Sequence, residues 1–314
     1  CVQTSCACKL YLQYEGSTSS TNDYLLMDVV PSEYGGSIAV GRYTNGSYKY
    51  GTIQVRSASG GVTKRYNFSG STSARLLNGA TSYANTTFGA VGYWYAGSTK
   101  GNDPWFIQFD KNGTILKGKN KLMAYTSKDD RLYDVAYDSS YKQFWAVGTS
   151  ASSGSTKGLI MRIDTSKTNG YSTAYQWGAT SKYTRLSGVA YYGGHLYMAG
   201  YTSGGTLGSY DGVLLKYKLT SSNSLTLAAG PKYHGGTGSD SFNDIANIGS
   251  TFYAVGSTTT ASNGSSDAWV VRFSSSSLGK YYENRYGGSQ GDAYFRAAPW
   301  GSGIAAIGFT AHKT

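Results

Sequence analysis

Short apolar runs of strand length recur along the whole chain, separated by clusters of Gly, Ser, Thr and Asn. The stretch from Asp267 to Thr310 shows the pattern in full, with the runs AWVVRF, YYENRY, DAYFRAA and IAAIGFT. Runs of this length, rich in aromatic and β-branched side chains and bounded by turn-forming residues, are typical of β-strands. One such stretch therefore predicts four strands.

Two markers show that this four-stranded unit is repeated. The first marker is a small residue followed by an apolar residue and a glycine. Its glycines are Gly41, Gly92, Gly148, Gly200, Gly256 and Gly308, at intervals of 51, 56, 52, 56 and 52 residues. A polar residue between two apolar or aromatic neighbours falls at Gln54, Gln108, Arg162, Lys216 and Arg272. Self-similarity at this period indicates a repeat architecture with one supersecondary unit per copy. The glycines predict six copies.

The second marker occurs only five times, because the chain ends at Thr314 before a sixth could follow. The missing piece matches the N-terminus, where Gln3 lies 51 residues before Gln54. We therefore expect residues 1–15 to supply the outer strands of a last unit that residues 292–314 begin. Closure of this kind removes open sheet edges. The expected fold is all-β: one domain over residues 1–314, a six-bladed β-propeller with four-stranded blades.

The same stretch resembles the SBBP-type β-propeller repeats of bacteria and archaea, and the resemblance covers nearly the whole chain. It is carried by Asp267-Ala268-Trp269, Tyr286-Gly287-Gly288-Ser289, Asp292 and Ala306-Ile307-Gly308-Phe309-Thr310. The resemblance implies a propeller that lies outside the cytoplasm. That repeat family carries no single activity, so the resemblance implies no particular function.

Composition narrows the class of protein. Charged residues make up 14% of the 314 residues, against about 25% in ordinary domains, while Tyr alone occurs 30 times. No apolar run approaches the 18 residues of a membrane-spanning helix. The net charge of +11 is scattered along the chain without a nucleic-acid motif. We expect a secreted or cell-surface protein with a solvated basic surface or an affinity for anionic surfaces, and no nucleic-acid partner.

All three cysteines, Cys1, Cys6 and Cys8, lie in the first eight residues. Numbering that opens on Cys suggests a terminus processed by signal-peptide cleavage, and hence an oxidising, extracellular location. Three interpretations stay open: a disulfide from Cys1 to Cys6 or Cys8, a lipid on Cys1, or a disulfide to a neighbouring molecule. The odd count leaves one thiol for the last of these. Membrane attachment is expected only through such a lipid.

One position of the first strand of each copy forms a polar set. It comprises Asp28, Asn78, Asp134, Gly188, Asp244 and Arg296. First strands line the central channel of a propeller, so these side chains are expected near one level of its axis. They would bind a cation or a chain of waters. Alternatively each satisfies only backbone groups or buried water, and Arg296 favours this second interpretation.

The segments after the second strands are predicted to be long loops on one face. Their aromatic residues are Tyr43, Tyr48, Trp94, Tyr95, Tyr201 and Tyr210. Such rings beside hydroxyl and amide groups suit sugar stacking or protein contact. The alternative is a surface that merely reflects the composition of the chain.

Catalytic motifs are missing from the sequence, including GxSxG, HExxH, Cys-x-x-Cys and a nucleotide-binding glycine loop. His195, His234 and His312 occupy different repeat positions. We therefore expect a non-enzymatic structural protein without a cofactor, whose partner is itself in a filament or matrix. One alternative is a monomeric lectin-like module that binds a surface glycan or protein. The other is an enzyme with its site at the channel mouth around Asp28, Asp134 and Asp244.

Overall fold

The computed structural model describes residues 22–32, 35–68, 74–83, 87–97, 101–152, 155–262 and 264–311. These residues form 22 β-strands and no α-helix. Within them there is accordingly no helix with the length and hydropathy to cross a membrane. The predicted all-β class is confirmed.

The strands follow one another in groups, and each group is a sheet whose strands lie in chain order. The first group is β1 (Asn22–Ser32), β2 (Gly36–Asn45), β3 (Tyr48–Arg56) and β4 (Val62–Asn67). The second is β5 (Arg75–Tyr83), β6 (Thr87–Gly97), β7 (Gly101–Asp110) and β8 (Ile115–Leu122). The third is β9 (Asp130–Asp138), β10 (Gln143–Ser152), β11 (Ser155–Ile163) and β12 (Tyr171–Trp177).

The fourth group is β13 (Thr184–Tyr192), β14 (His195–Thr202), β15 (Asp211–Ser221) and β16 (Ser224–His234). The fifth is β17 (Asp240–Ile248), β18 (Thr251–Thr258), β19 (Asp267–Ser274) and β20 (Lys280–Tyr286). The last has only β21 (Asp292–Trp300) and β22 (Gly303–Thr310). Six copies with four strands each were predicted, and the described residues contain five such sheets and a sixth with two strands. The expected closure by residues 1–15, with Cys1, Cys6 and Cys8, lies outside the described residues.

The chain divides into two compact units, Cys1–Tyr137 with Ile163–Tyr171 and Asp138–Arg162 with Ser172–Thr314. In the first unit an apolar core joins the first two sheets around Trp105, Phe88 and Phe109. In the second unit a core of the same kind joins the fourth and fifth sheets around Phe242, Trp269 and Phe273. Middle strands are buried on both faces, which explains their continuous apolar runs.

Small residues on the third strands admit the aromatic side chains of the next sheet. A Cβ on Gly51 would lie 2.6 Å from Cζ3 of Trp105, and one on Gly212 would lie 2.8 Å from Cε2 of Phe242. Either contact is closer than real Cβ atoms approach, so only glycine leaves room for the ring. Neighbouring sheets therefore pack with a large aromatic side chain of one sheet against a glycine of the other.

The YGGS-x-x-D signature has a structural role. The Asp292 carboxylate accepts a hydrogen bond from the Gly288 backbone N–H at 2.9 Å, and Asp240 accepts one from the Gly236 N–H at 2.8 Å. Both carboxyl groups are buried at the start of a first strand. Each aspartate thus fixes the turn that enters its sheet, as expected for buried polar groups that must be paired.

The strand pairing corrects one of the two sequence markers. Gln108 pairs with Gly89, three residues before Gly92, whereas Gln54 pairs with Ala39, only two residues before Gly41. The residue equivalent to Gln108 in the first sheet is therefore Val55, and Gln54 points to the opposite side of its strand. The 51-residue spacing from Gln3 to Gln54 consequently does not fix the register of the N-terminal segment.

Candidate functional site

A β-bulge recurs at one place in the first strands and sets which residues are equivalent. The pairing slips between Leu26 and Asp28, Leu77 and Gly79, Leu186 and Gly188, Phe242 and Asp244, and Tyr294 and Arg296. The residue equivalent to Asp28 in the second sheet is therefore Gly79. Asn78 is the extra residue of the bulge, so its predicted membership of the polar set is wrong by one position.

In the first unit, these polar groups bond to backbone. Asp28 accepts from the N–H of Val29 at 2.8 Å and from the N–H of Ala80 in the next sheet at 2.7 Å. The Asn78 amide donates to the carbonyl of Leu132 at 2.8 Å, and Asp134 accepts from its neighbour Val135 at 2.8 Å. The bonds of Asp28 to Ala80 and of Asn78 to Leu132 connect the first strands of successive sheets.

The second unit repeats the arrangement. The Asp244 carboxylate accepts from the Ala297 N–H at 2.9 Å, and its other oxygen lies 3.6 Å from a guanidinium nitrogen of Arg296. The Asn243 amide donates to the carbonyl of Tyr294 at 2.8 Å, as Asn78 does in the first unit. A Cβ on Gly188 would lie 2.8 Å from Cα of Asp244, so the two strands are in close contact. The geometry supports the interpretation that this polar set satisfies backbone groups.

In the described part of the chain, no three His, Cys, Asp or Glu side chains lie close enough together to hold a metal ion. Cation binding by the polar set stays a prediction.

The first group of predicted aromatic residues lies on a hairpin. Only residues 46–47 separate β2 from β3, so the loop predicted from Tyr43 to Tyr50 is mostly strand. Tyr24, Tyr43 and Tyr50 are directly opposite one another on three strands, and their ring centroids are 4.7 and 6.2 Å apart. Tyr48 extends the row at 6.3 Å from Tyr50. The row is a ladder of partly exposed phenol rings on the first sheet.

Trp94 and Tyr95 lie near the end of β6. The Arg75 guanidinium carbon is 3.4 Å from the ring centroid of Trp94, a cation–π contact, and the Trp105 ring packs at 6.4 Å. One ring face of Trp94 is therefore already occupied. Tyr95 is exposed.

The last two predicted aromatic residues lie around a true loop, at 203–210 between β14 and β15. Tyr201 and Tyr210 are 5.7 Å apart, and Tyr183 lies 5.8 and 6.2 Å from them. These half-buried rings pack mainly on one another. The six predicted aromatic residues thus belong to three separate clusters.

Sequence reasoning pointed to the last sheet but missed its most distinctive surface. Within the described residues β22 pairs with β21 alone. Ala306 and Ile307 of β22 are half-buried, whereas their counterparts Ala254 and Val255 in the fifth sheet are fully buried. Phe309 is 48% exposed. Among the residues that the structure describes, no strand pairs with the outer side of β22, which is called the open edge of the last sheet.

A cleft of about 400 Å³ borders this edge. Its walls include Ala268, Tyr286, Tyr294, Gly308 and Phe309. Gly308 is opposite Tyr294 in the two-stranded sheet, as Gly256 is opposite Phe242 in the fifth sheet.

In the fifth sheet the corresponding place is filled. Trp269 lies opposite Gly256, and its ring stacks on Phe242 at 4.6 Å. The cleft therefore has the same kind of walls as the site that Trp269 occupies in the fifth sheet. It lies where a third strand would pair with β22. No spacing rule reveals it, because it depends on which residues the bulges bring opposite one another.

Comparisons with known proteins bear on the fold. No family model and no curated sequence matches this chain. Among solved structures, a neuraminidase-like protein from A/bat/Guatemala/164/2009 is similar with a TM-score of 0.50 at 6% identity, over 85% of this chain and 75% of its own. The β-propeller domain of the Trilobed protease from Pyrococcus furiosus has a TM-score of 0.49 at 8% identity, over 91% of this chain and 78% of its own.

The fold is an all-β propeller. The repeated four-stranded meanders support this conclusion, and the neuraminidase-like protein is similar in fold. Identity this low concerns the fold alone, so the activities of these proteins carry no information here. The resemblance to SBBP-type repeats stays a prediction, because no family model matches.

Proposed function

We propose that the protein is a non-enzymatic extracellular structural subunit that assembles with copies of itself through the open edge of its last sheet. The observation that carries the proposal is β22, which pairs only with β21 in the described part of the chain and lies beside an apolar cleft. An unpaired strand presents a row of N–H and C=O groups that another strand extends.

The sequence of this edge supports the proposal. Edge strands that avoid association carry Lys, Pro or inward-pointing charges. The strand Gly303–Thr310 reads GIAAIGFT and contains none of them. The low charge and high Tyr content of the chain support an extracellular location for such a subunit.

Sedimentation velocity over a wide concentration range, with and without reductant, tests the proposal. We expect concentration-dependent polymers, which Phe309→Lys weakens by placing a cation on the open edge. Tyr281→Lys is the matched control, because Tyr281 is 69% exposed on an outer strand of the complete fifth sheet. A monomer in both conditions at the highest concentration would refute self-assembly. A polymer that only reductant disrupts would assign the contact to Cys1, Cys6 or Cys8.

A monomeric glycan-binding module is the second candidate, and the tyrosine ladder of the first sheet favours it. Its rings are rigid, amphipathic and partly exposed. Binding of immobilised polysaccharides by the intact protein, compared with Tyr48→Ala, tests this candidate. Loss of retention in Tyr48→Ala supports a sugar platform, whereas equal retention of both proteins excludes it.

A further inference from the structure

We infer that Asn45 is the attachment site of an N-linked oligosaccharide, whose first sugar packs on the ring of Tyr48 at the end of the tyrosine ladder. This modification rests on the extracellular location that the proposed function assigns, because Asn-x-Ser/Thr motifs are acceptors in secreted proteins. It goes beyond that function by assigning a modification site to the chain.

The acceptor motif is Asn45-Gly46-Ser47, which has no proline at its middle position. It occupies the hairpin between β2 and β3, where Asn45 pairs with Tyr48 across a two-residue turn. Residues 45–49 are all exposed. A transferase needs access to the asparagine amide and to the hydroxyl two residues later, and an exposed turn gives access to both.

The reaction at this motif is a group transfer. The Asn45 amide nitrogen forms a bond to the anomeric carbon of a lipid-linked oligosaccharide, and the bond from that carbon to the donor's phosphate oxygen breaks. The amide loses one proton to a base of the transferase. The phosphorylated lipid leaves with the electron pair of the broken bond, and nothing is oxidised or reduced. The chain supplies the acceptor, and the cell supplies the donor and the transferase.

The register of the hairpin puts the Asn45 side chain beside an aromatic ring. Asn45 and Tyr48 are directly opposite each other, so their side chains share one face of the sheet, with Cβ atoms about 4.5–5.5 Å apart. The Tyr48 ring stacks on Tyr50 at 6.3 Å and is still 46% exposed. The apolar C–H groups of a sugar ring pack on such a surface, so a sugar bonded to Asn45 reaches Tyr48 within the folded hairpin.

Two further motifs of the same kind show what distinguishes Asn45. Asn67 begins the motif NFS, but its amide donates to the Tyr24 hydroxyl at 3.2 Å, and its oxygen accepts from the Thr52 hydroxyl at 2.7 Å. A glycan on Asn67 would disrupt both bonds. Asn112 begins the motif NGT in an exposed turn between β7 and β8. It is accessible, but it belongs to the second sheet.

The neighbourhood of Asn112 is also different. A Cβ on Gly113 would lie 2.6 Å from Cε2 of Tyr66. Tyr66 precedes Asn67 in β4, so its side chain is on the opposite face of the first sheet from Asn67 and the ladder. Asn45 is thus the exposed acceptor that lies beside the ladder.

An attached glycan accounts for the exposed ring at the tip of the hairpin. Large aromatic side chains at the surface are commonly covered by a partner, and here the partner is bonded to the neighbouring residue. The glycan also restricts the second candidate function, since a Tyr48 ring covered by an attached sugar does not bind a foreign one.

Mass spectrometry of tryptic peptides from the protein isolated from its natural source tests the attachment. The three motifs fall in separate peptides, at residues 43–49, 66–75 and 112–117. We expect a glycan on residues 43–49, located on Asn45 by fragmentation, and no glycan on residues 66–75. An unmodified Asn45, or equal occupancy of Asn45 and Asn67, would overturn the inference.

Variants secreted by the same cells test the chemistry. Asn45→Gln removes the acceptor nitrogen, and Ser47→Ala keeps it but removes the hydroxyl of the motif, so both should lose the glycan on residues 43–49. Asn112→Gln is the matched control, since it removes a motif of the same type in the second sheet, and it should keep that glycan. A glycan that persists in Ser47→Ala would belong to a different reaction and would contradict the assignment.

Nitration of the folded proteins by tetranitromethane tests the contact with Tyr48. We expect several-fold slower nitration of Tyr48 in the wild type than in Asn45→Gln, because the sugar covers the ring, and the wild-type rate in Asn112→Gln. Equal rates in all three proteins would place the glycan in solvent and refute its contact with the ladder.

Attachment and self-assembly can fail separately. An unmodified Asn45 in a secreted protein that still forms polymers overturns the inference and leaves the proposed function in place. A glycan on Asn45 of a protein that stays monomeric supports the inference and overturns self-assembly. A protein that stays in the cytoplasm and carries no glycan overturns both.

Discussion

Acidification should destabilise the second unit through one buried imidazole. His234 ends β16, is buried, and packs 5.9 Å from the ring of Phe242. Its Nε2–H donates to the carbonyl oxygen of Leu278 at 3.0 Å. Burial lowers the pKa of His234 from 6.5 to about 4, and the hydrogen bond to Leu278 only partly opposes this effect. The folded protein therefore keeps the imidazole neutral at pH values where the unfolded chain protonates it.

The sign and size of the effect follow from this difference. Between pH 6.5 and pH 4 the unfolded chain binds a proton here that the folded chain does not, so falling pH favours unfolding. The stability that depends on the neutral His234 imidazole is fully present above pH 6.5 and is lost as the pH falls towards 4. The difference between the two pKa values corresponds to about 3 kcal/mol of unfolding free energy.

Urea unfolding of the wild type and His234→Gln at pH 7 and pH 4 measures the effect. The amide keeps a donor for Leu278 but does not titrate, so the variant should lose about 3 kcal/mol less than the wild type over this interval. Leu278→Ala is the control: it removes a buried side chain but keeps the carbonyl, so it lowers stability at both pH values and preserves the pH dependence. Equal losses in wild type and His234→Gln would refute the buried neutral imidazole.

Three further predictions concern the sheet contacts. Asp28→Asn should lower the free energy of unfolding by about 1–3 kcal/mol in chemical denaturation, because the NH2 of the new amide would face the Ala80 N–H in place of a carboxylate oxygen. A chelator should leave the wild-type melting temperature unchanged. A stabilising effect of divalent cations that Asp28→Asn removes would instead support the predicted cation site. Gly188→Ala should lower the melting temperature by several degrees, because its Cβ would meet the Asp244 backbone, whereas the control Gly61→Ala should not, because Gly61 is exposed and its Cβ would make only an ordinary contact with Oγ of Ser57 at 3.5 Å. Trp269→Ala should lower the free energy of unfolding by about 3–5 kcal/mol, because it empties a place in the core. A variant as stable as the wild type would contradict that place.

Much of the fold is visible in the sequence because strands and glycines repeat. Strands such as Asp267–Ser274 keep buried apolar positions next to strong turn signals, and tight packing requires glycine at Gly200 and Gly256. The hairpin at Tyr48 was predicted as a loop from its Gly and Ser content. Gly46-Ser47 is nevertheless a signal for a two-residue hairpin turn, and Gly46 has the positive φ, +58°, that the first residue of such a turn needs.

The candidate sites were harder to predict for two physical reasons. A bulge adds one residue without altering the strand pattern, so Asn78 was aligned where Gly79 belongs. The cleft beside Gly308 depends on residues from four strands, and their register appears only in the folded chain. The predicted aromatic face assumed that loops from several sheets act together, whereas Tyr201 and Tyr210 pack with Tyr183 in their own cluster.

Carboxylate and glycine alternate at the position after the bulge: Asp28 is followed in the next sheet by Gly79, and Gly188 by Asp244. Among the first five sheets neighbouring blades are therefore complementary and repeat in pairs, whereas the last sheet has Arg296 at this position. The spacing agrees, since Gly92 to Gly200 and Gly148 to Gly256 are both 108 residues. An engineered protein that gains or loses one of these five blades would place two carboxylates or two glycines side by side. Changes in blade number should preserve the packing only when blades are added or removed in twos.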